Sequence, residues 1–120
     1  MSTANRINYI ELPAEDFDAI QAFYEQAFCW TFTDYGDQYR AFNDGNLDGG
    51  FYQSSQRSST DNGAALVVLH SDNLRASRDS VIKAGGQVKV DIFAFPGGQR
   101  FQFTDPHGNE LAVWSDQKNA

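Results

Sequence analysis

The sequence is poor in the residue types that form disulfides, bind metals and contact nucleic acids. It contains one cysteine and two histidines, and its 9 basic residues against 16 acidic ones give a net charge of −7. The single Cys29 excludes an internal disulfide and is typical of a protein in a reducing compartment. Because few cations are available to neutralise phosphates, neither nucleic acid nor an anionic membrane is an expected partner.

Long apolar runs are missing as well. No segment approaches the ~20 apolar residues of a membrane-spanning helix, and the N-terminal residues lack the apolar core of a signal peptide. We therefore expect a cytoplasmic protein without a membrane partner. What the chain does have is 120 residues, of which 41% are hydrophobic and 14% aromatic. These values suit one domain, spanning residues 1–120, with one sizeable core.

A turn between two short apolar strands is the most informative segment of the chain. Residues 101–114 place the sequence Asp-Pro-His-Gly-Asn, at 105–109, between alternating apolar residues. The proline presets φ for the turn, and Gly108 supplies a backbone conformation that few other residues tolerate. A weaker copy of the segment occurs at 41–47, so the sequence predicts one such β-hairpin in each half.

The two halves also align outside the hairpins. Residues 16–19 match residues 73–76 at an offset of 57 (73 − 16 = 57), and a short apolar strand precedes each match. Each half reads as a strand, a helix and three strands, and neither is large enough to bury its own apolar face. The predicted modules are 5–53 and 64–116. The Ser-rich segment 54–63 is the predicted linker and the most mobile stretch.

Helix and strand positions follow from periodicity and turn residues. The first helix should begin near Ala14 or Glu15, and the second near Ser71 or Asp72, with Gly85 and its neighbour ending it. The remaining apolar segments are short and bounded by turn residues. The predicted strands are 7–12, 31–34, 38–42, 48–53, 65–69, 87–93, 99–103 and 110–115.

Four motifs, taken in order, carry a family resemblance. They are Ala22-Phe23-Tyr24-Glu25, Ala84-Gly85-Gly86, Phe95-Pro96-Gly97-Gly98 and the 103–109 turn. Together they resemble the vicinal oxygen chelate superfamily, which includes glyoxalase I, extradiol dioxygenases, fosfomycin resistance enzymes and bleomycin resistance proteins. The resemblance implies an α+β fold in which two βαβββ modules form an open curved mixed β-sheet cup, with the helices outside. It also implies a homodimer, strand-swapped or unswapped.

Enzymes of that superfamily hold a metal ion in the cup through ligands on the first, fourth, fifth and eighth strands. Counting from the matching motifs places these positions on Tyr9, Gly49, Leu66 and Ala112. A phenol and three side chains without donors cannot hold a divalent ion, which needs several imidazole or carboxylate ligands. We therefore expect no metal and no cofactor. Metal-dependent glyoxalase, dioxygenase and fosfomycin-transferase chemistry is disfavoured.

Strand alternation, in which successive side chains point to opposite faces, predicts what lines the cup. Ala112 is taken as inward because it stands at a ligand position, and pairing across the hairpin extends the inward set to the preceding strand. Phe51 is included as the first-half counterpart of Trp114. The predicted ligand-binding residues are Tyr9, Glu11, Gly49, Phe51, Leu66, Arg100, Gln102, Glu110, Ala112 and Trp114. The residues left on the other face, such as Ile10 and Leu111, are apolar, as a helix-covered face requires.

Three functions remain open from the sequence. Aromatic rings beside two carboxylates, Glu11 and Glu110, suit metal-independent binding of a small cationic or aromatic molecule, as in bleomycin resistance proteins. The second function is a glyoxalase/lyase- or dioxygenase-type enzyme with atypical ligands, using Glu11 or Glu110 as a general base. The third is a subunit whose cup is unused and which binds another protein. Both carboxylates could instead pair with Arg100 and only close the sheet interior, and the role of His70 is left open.

Overall fold

Each half of the chain folds into a strand, a helix and three further strands. The computed structural model describes residues 4–117. A single 3-10 turn, Thr60–Asn62, lies between the halves in the described part of the chain. The elements in chain order are β1 (Tyr9–Ala14), α1 (Phe17–Phe28), β2 (Thr31–Asp34), β3 (Tyr39–Asn43), β4 (Asp48–Gln53), β5 (Val67–His70), α2 (Leu74–Lys83), β6 (Gln87–Phe95), β7 (Gly98–Thr104) and β8 (Glu110–Ser115).

The strands form two open four-stranded sheets with the same topology. The first sheet has the order β1-β4-β3-β2 and the second has the order β5-β8-β7-β6. In each sheet the first and last strands of the module pair in parallel, and the remaining pairs are antiparallel. The α+β fold with two βαβββ modules is therefore confirmed. Within residues 4–117, no helix is long and apolar enough to cross a membrane.

The helix starts repeat the internal symmetry at the residue level. Asp16 caps α1 by accepting a hydrogen bond from the backbone N–H of Ala19 at 3.0 Å, and Asn73 caps α2 in the same way with Ala76 at 3.1 Å. The caps are 57 residues apart (73 − 16 = 57), which is the offset found in the sequence. Both helices begin slightly later than predicted. At the first, Ala14 belongs to β1, and an Asp or Asn cap satisfies the free N–H groups of the first turn.

The core lies on the helix side of both sheets. Its largest fully buried apolar side chains come from both helices and from the strands of both modules: Ile20, Phe23, Tyr24, Phe51, Leu74, Val81, Phe101, Phe103, Leu111 and Val113. Each large apolar side chain buried in this way contributes roughly 1.5–3 kcal/mol. As the predicted alternation of β7 and β8 requires, Phe101, Phe103, Leu111 and Val113 enter the core, and the residues between them lie on the opposite face.

The turn at 105–109 joins the two modules. Tyr24 donates a hydrogen bond from its hydroxyl to Asp105 Oδ2 at 2.8 Å, and the amide of Asn109 donates to the carbonyl of Pro13 at 2.8 Å. The other carboxylate oxygen of Asp105 accepts three backbone N–H groups within the turn. Burial, followed by the nearby Asp105, raises the pKa of Tyr24, so Tyr24 stays protonated and donates. The segment that carried the family resemblance is thus a structural joint.

Hydrogen bonds from the second module anchor the linker. Asn109 Oδ1 accepts the backbone N–H of Ser58 at 2.9 Å, and the N–H of Glu110 donates to the Ser58 carbonyl at 2.8 Å. Two residues later, Thr60 donates both its N–H and its hydroxyl to the Glu110 carboxylate. The segment that composition predicts to be most mobile is therefore held against the start of β8.

Candidate functional site

We call the side of each sheet that faces away from its helix the open face of that sheet. On the second sheet, the open face carries Glu110, Ala112 and Trp114 from β8, because Leu111 and Val113 enter the core. The cross-strand pairs Gln102 with Ala112 and Arg100 with Trp114 add two β7 side chains to the same face. Five of the predicted lining residues therefore lie together here.

On the first sheet, Tyr9 and Glu11 also point to the open face, while Ile10 and Leu12 pack against the core. They meet Tyr39 of β3, which the sequence analysis did not select. Its place depends on the register of β3 against β4, where Tyr39 pairs with Tyr52. A single sequence gives no direct indication of that register.

Two predicted positions on β4 are wrong. Phe51 is fully buried in the core, with its ring centroid 5.6 Å from that of Tyr24 and 5.4 Å from that of Phe42. Gly49 faces the same side, because a Cβ atom there would meet the Phe42 ring and the Ile10 carbonyl. The predicted alternation along β4 is shifted by one residue, so Gly50 rather than Gly49 lies on the open face.

The remaining predicted residue, Leu66, lies just before β5 and is partly exposed. It lines a largely apolar cavity of about 580 Å³ between β1 and β5, together with Ile7, Ile10 and Val68. Its side chain has no donor for a metal ion.

The positions that correspond to metal ligands do not fit a divalent ion. With Gly50 in place of Gly49, these positions hold the phenol of Tyr9, the apolar side chains of Leu66 and Ala112, and a glycine that has no side chain, so none supplies an imidazole or a carboxylate. Within residues 4–117, no three His, Cys, Asp or Glu side chains gather where they could hold a metal.

The first open face carries a hydrogen-bonded chain of three side chains. Tyr39 donates from its hydroxyl to Glu11 Oε2 at 2.8 Å, and the hydroxyls of Tyr9 and Tyr39 are 2.6 Å apart. Burial, followed by the bonds to Tyr9 and Glu11, raises the pKa of Tyr39 well above its usual range. A Cβ atom at Gly50 would collide with the Tyr39 ring. Because glycine has no side chain, Tyr39 has room to bond Tyr9 and Glu11.

A cavity opens beside this chain of side chains. It has a volume of about 480 Å³, and its walls include Tyr9, Tyr35, Tyr39 and Asp48. Tyr9 is 45% exposed and Tyr35 is 67% exposed. Among residues 4–117, no Lys, Arg or His nitrogen lies within 4.0 Å of a Glu11 or Asp48 carboxylate oxygen.

Glu110, on the second open face, has a different environment. Its side chain is 0% exposed and accepts hydrogen bonds from Lys89 at 2.9 Å, from Gln102 at 2.6 Å and from Thr60 at 2.7 and 2.9 Å. Burial opposes ionisation, but these donors outweigh it and lower the pKa of Glu110 to about 2. The carboxylate is thus committed to Lys89 and the linker, and the pairing with Arg100 considered from the sequence does not form.

Arg100 lies on the same face among aromatic rings. Its guanidinium carbon is 5.2 Å from the centroid of Phe93, and its strand partner is Trp114. The ring of His70 meets Trp114 edge-on at 5.1 Å and approaches Asp116 at 3.4 Å. This half of the site therefore combines an arginine with aromatic surface, whereas the first half combines carboxylates with tyrosines.

The comparisons with known proteins agree with this architecture. The family model of the glyoxalase/bleomycin resistance protein/dioxygenase superfamily matches residues 6–113. The chain belongs to this superfamily. No curated protein gives a significant sequence match.

Several solved structures share the fold at low sequence identity. A glyoxalase/bleomycin resistance protein/dioxygenase family enzyme from Burkholderia phytofirmans PsJN is 17% identical, with a TM-score of 0.74 over 90% of this chain and 96% of that one. A lactoylglutathione lyase from Agrobacterium tumefaciens is 19% identical, with a TM-score of 0.71 over 95% and 96%. A mutant fosfomycin resistance protein from Listeria monocytogenes is 13% identical, with a TM-score of 0.76 over 93% and 90%. These likenesses concern the fold alone.

Proposed function

We propose that this superfamily member binds a small cationic or aromatic molecule on the open faces of its sheets without using a metal ion. The observation that carries the proposal is the set of hydrogen bonds from Tyr9 through Tyr39 to Glu11, in which the two tyrosines line a cavity of about 480 Å³ and Glu11 lies behind them. Aromatic walls with a few convergent polar groups are typical of small-molecule sites.

The direction of the hydrogen bonds favours a ligand that donates. A tyrosine hydroxyl has one proton, and that of Tyr39 is directed to Glu11. Tyr9 must then donate its own proton to Tyr39, which leaves the lone pairs of the Tyr9 oxygen free to accept. The second oxygen of Glu11 also accepts, so this end of the site offers acceptors that an ammonium or guanidinium group would satisfy.

The exposed tyrosine rings favour the same class of ligand. Cations within about 6 Å of a ring face are attracted by its quadrupole, and Tyr9 and Tyr35 both present exposed rings beside the cavity. The chain's net charge of −7 adds a long-range attraction for cations. A positively charged group is therefore favoured over a neutral one of the same shape.

Benzylamine and the uncharged benzyl alcohol test this preference as a matched pair. We expect benzylamine to bind about tenfold more tightly at pH 7, because charge-assisted hydrogen bonds are stronger than neutral ones. Glu11→Gln should remove most of the difference. The measurement is an NMR titration of the backbone amides of β1, β3 and β4.

Glu25→Gln, on the exposed surface of α1, is the control and should leave both affinities unchanged. Equal affinity for the two probes, or a Glu11→Gln variant that keeps the full preference for benzylamine, would refute the proposal.

A second candidate is a proton-transfer enzyme of the glyoxalase/lyase type, and one observation favours it. Glu11 lies in hydrogen-bond contact with Tyr39, so a carboxylate base and a phenol donor stand side by side. Glu110 is a poor base because its pKa is about 2. Deuterium exchange into hydroxyacetone, followed by NMR, should be faster with the wild type than with Glu11→Gln; identical rates would exclude this candidate.

A further inference from the structure

We infer that Arg100 is the recognition group for an acidic oxyanion, a carboxylate or phosphate carried by an aromatic or apolar ligand, on the open face of the second sheet. The inference deepens the proposed function and rests on it, because it assigns a chemical group to a ligand bound on the same open faces. It concerns the half of the site opposite to Glu11.

The position of Arg100 is fixed by its surroundings. Gln102 donates its amide N–H to Glu110 at 2.6 Å, so its carbonyl oxygen is turned the other way, where Arg100 Nη2 donates to it at 3.4 Å. On its other side, the guanidinium lies over the ring of Phe93. A planar group held between an amide and a ring is preorganised for a ligand, since little side-chain entropy remains to be lost.

The charge of Arg100 is not neutralised by a neighbouring carboxylate. Arg40, Arg78 and Lys89 each have an Asp or Glu oxygen within 4.0 Å. For Arg100, no such oxygen lies within that distance in the described chain, 4–117. Its buried Nε atom has no hydrogen-bond partner among the described residues. Because Arg100 as a whole is only partly buried, its outer N–H groups are where an acceptor from outside the chain would bind.

Glu110 cannot take this role without losing other bonds. It shares Gln102 with Arg100 and already accepts hydrogen bonds from Lys89, Thr60 and Gln102. In a chain with 16 Asp and Glu against 9 Lys and Arg, this guanidinium lies on an open face without a carboxylate partner among residues 4–117. Its planar fork matches a carboxylate or phosphate through two parallel hydrogen bonds.

The side chains around Arg100 indicate what kind of group carries the acid. Trp114 is the strand partner of Arg100, and the ring of Phe95 lies 6.3 Å from the indole. These aromatic groups beside the arginine suit a flat or apolar group attached to the acid. The acid would bind on the second open face, and a positively charged group would bind near Glu11 on the first.

Benzoate, phenyl phosphate and neutral benzamide are the probes that test the inference. We expect benzoate or phenyl phosphate to bind at least about tenfold more tightly than benzamide and to shift the Nε–H resonance of Arg100 and the indole N–H resonance of Trp114. Arg100→Gln should abolish the preference, and Arg100→Lys, which keeps the charge without the fork, should retain part of it. The stronger of the two acids identifies the oxyanion.

Arg78→Gln on α2 is the matched control and should bind benzoate like the wild type. Glu11→Gln should also keep benzoate binding while losing its preference for benzylamine, so failure of the cation site and failure of the anion site are separable. Three results would overturn the inference: benzamide binding as tightly as both acids, an unchanged Arg100 Nε–H resonance at saturation, or full acid preference in folded Arg100→Gln.

Discussion

At the scale of single residues, Glu11 and Glu110 show how the surroundings of a carboxylate decide its role. Both lie on open faces, and the sequence offered them as equivalent candidates. Glu11 accepts one hydrogen bond from Tyr39 and has no cation beside it in the described residues, so it remains able to bind a ligand. Glu110 is fully buried and bonded to Lys89 and Thr60, so its charge contributes to stability.

The low pKa of Glu110 makes a prediction about acid unfolding. A folded-state pKa of about 2 against a usual 4.5 contributes roughly 3 kcal/mol of stability. Because the pKa is lowered by folding, this contribution is complete above pH 4.5 and is lost as the pH falls towards 2. We expect Glu110→Gln to be destabilised by about 3 kcal/mol at pH 7 and by much less near pH 2.5.

Urea unfolding at the two pH values measures this difference. Glu25→Gln serves as the control, since its side chain lies exposed on α1. A Glu110→Gln penalty that stays the same from pH 7 to pH 2.5 would contradict the assigned role of the carboxylate.

At the scale of elements, the sequence predicted what depends on local pattern. The strands 31–34, 48–53 and 110–115 have the predicted bounds, and the repeated helix caps follow from the same offset of 57. β1 extends beyond its predicted end because, as an edge strand, it tolerates Pro13. The face of β8 follows from the family position of Ala112, and pairing across the hairpin extends it to β7, where Arg100 and Gln102 alternate with Phe101 and Phe103.

The features that could not be predicted from the sequence depend on contacts between elements. In β4 the pair Gly49-Gly50 has no side chains to show an alternation, so the face of Phe51 could be set only by its contact with Tyr24. Tyr39 joins the site through its register with β4, and the linker is anchored through Glu110. Propensity and spacing contain no information about these contacts, which are fixed by packing.

At the scale of the whole molecule, β1 and β5 do not pair with each other within residues 4–117, so the two sheets stay separate. β1 and β5 each have a hydrogen-bonded neighbour on one side, and the cavity between them is lined by apolar side chains. Ile7 is 82% exposed and Val68 is 42% exposed at this place. Unpaired strand edges with exposed apolar side chains favour association, and a second copy of the chain offers the same surface through two-fold symmetry.

We therefore propose that the chain forms a homodimer through the β1–β5 region, and multi-angle light scattering should give twice the 13.4 kDa of one chain. The double substitution Ile7→Lys with Val68→Lys should shift the protein to monomer, because two added charges per chain would be desolvated at the contact. Ile82→Lys is the matched control, since Ile82 is also exposed, at 53%, but lies on α2. A wild type that stays monomeric at high concentration, or a dimer lost through Ile82→Lys and kept in the double variant, would place the association elsewhere or exclude it.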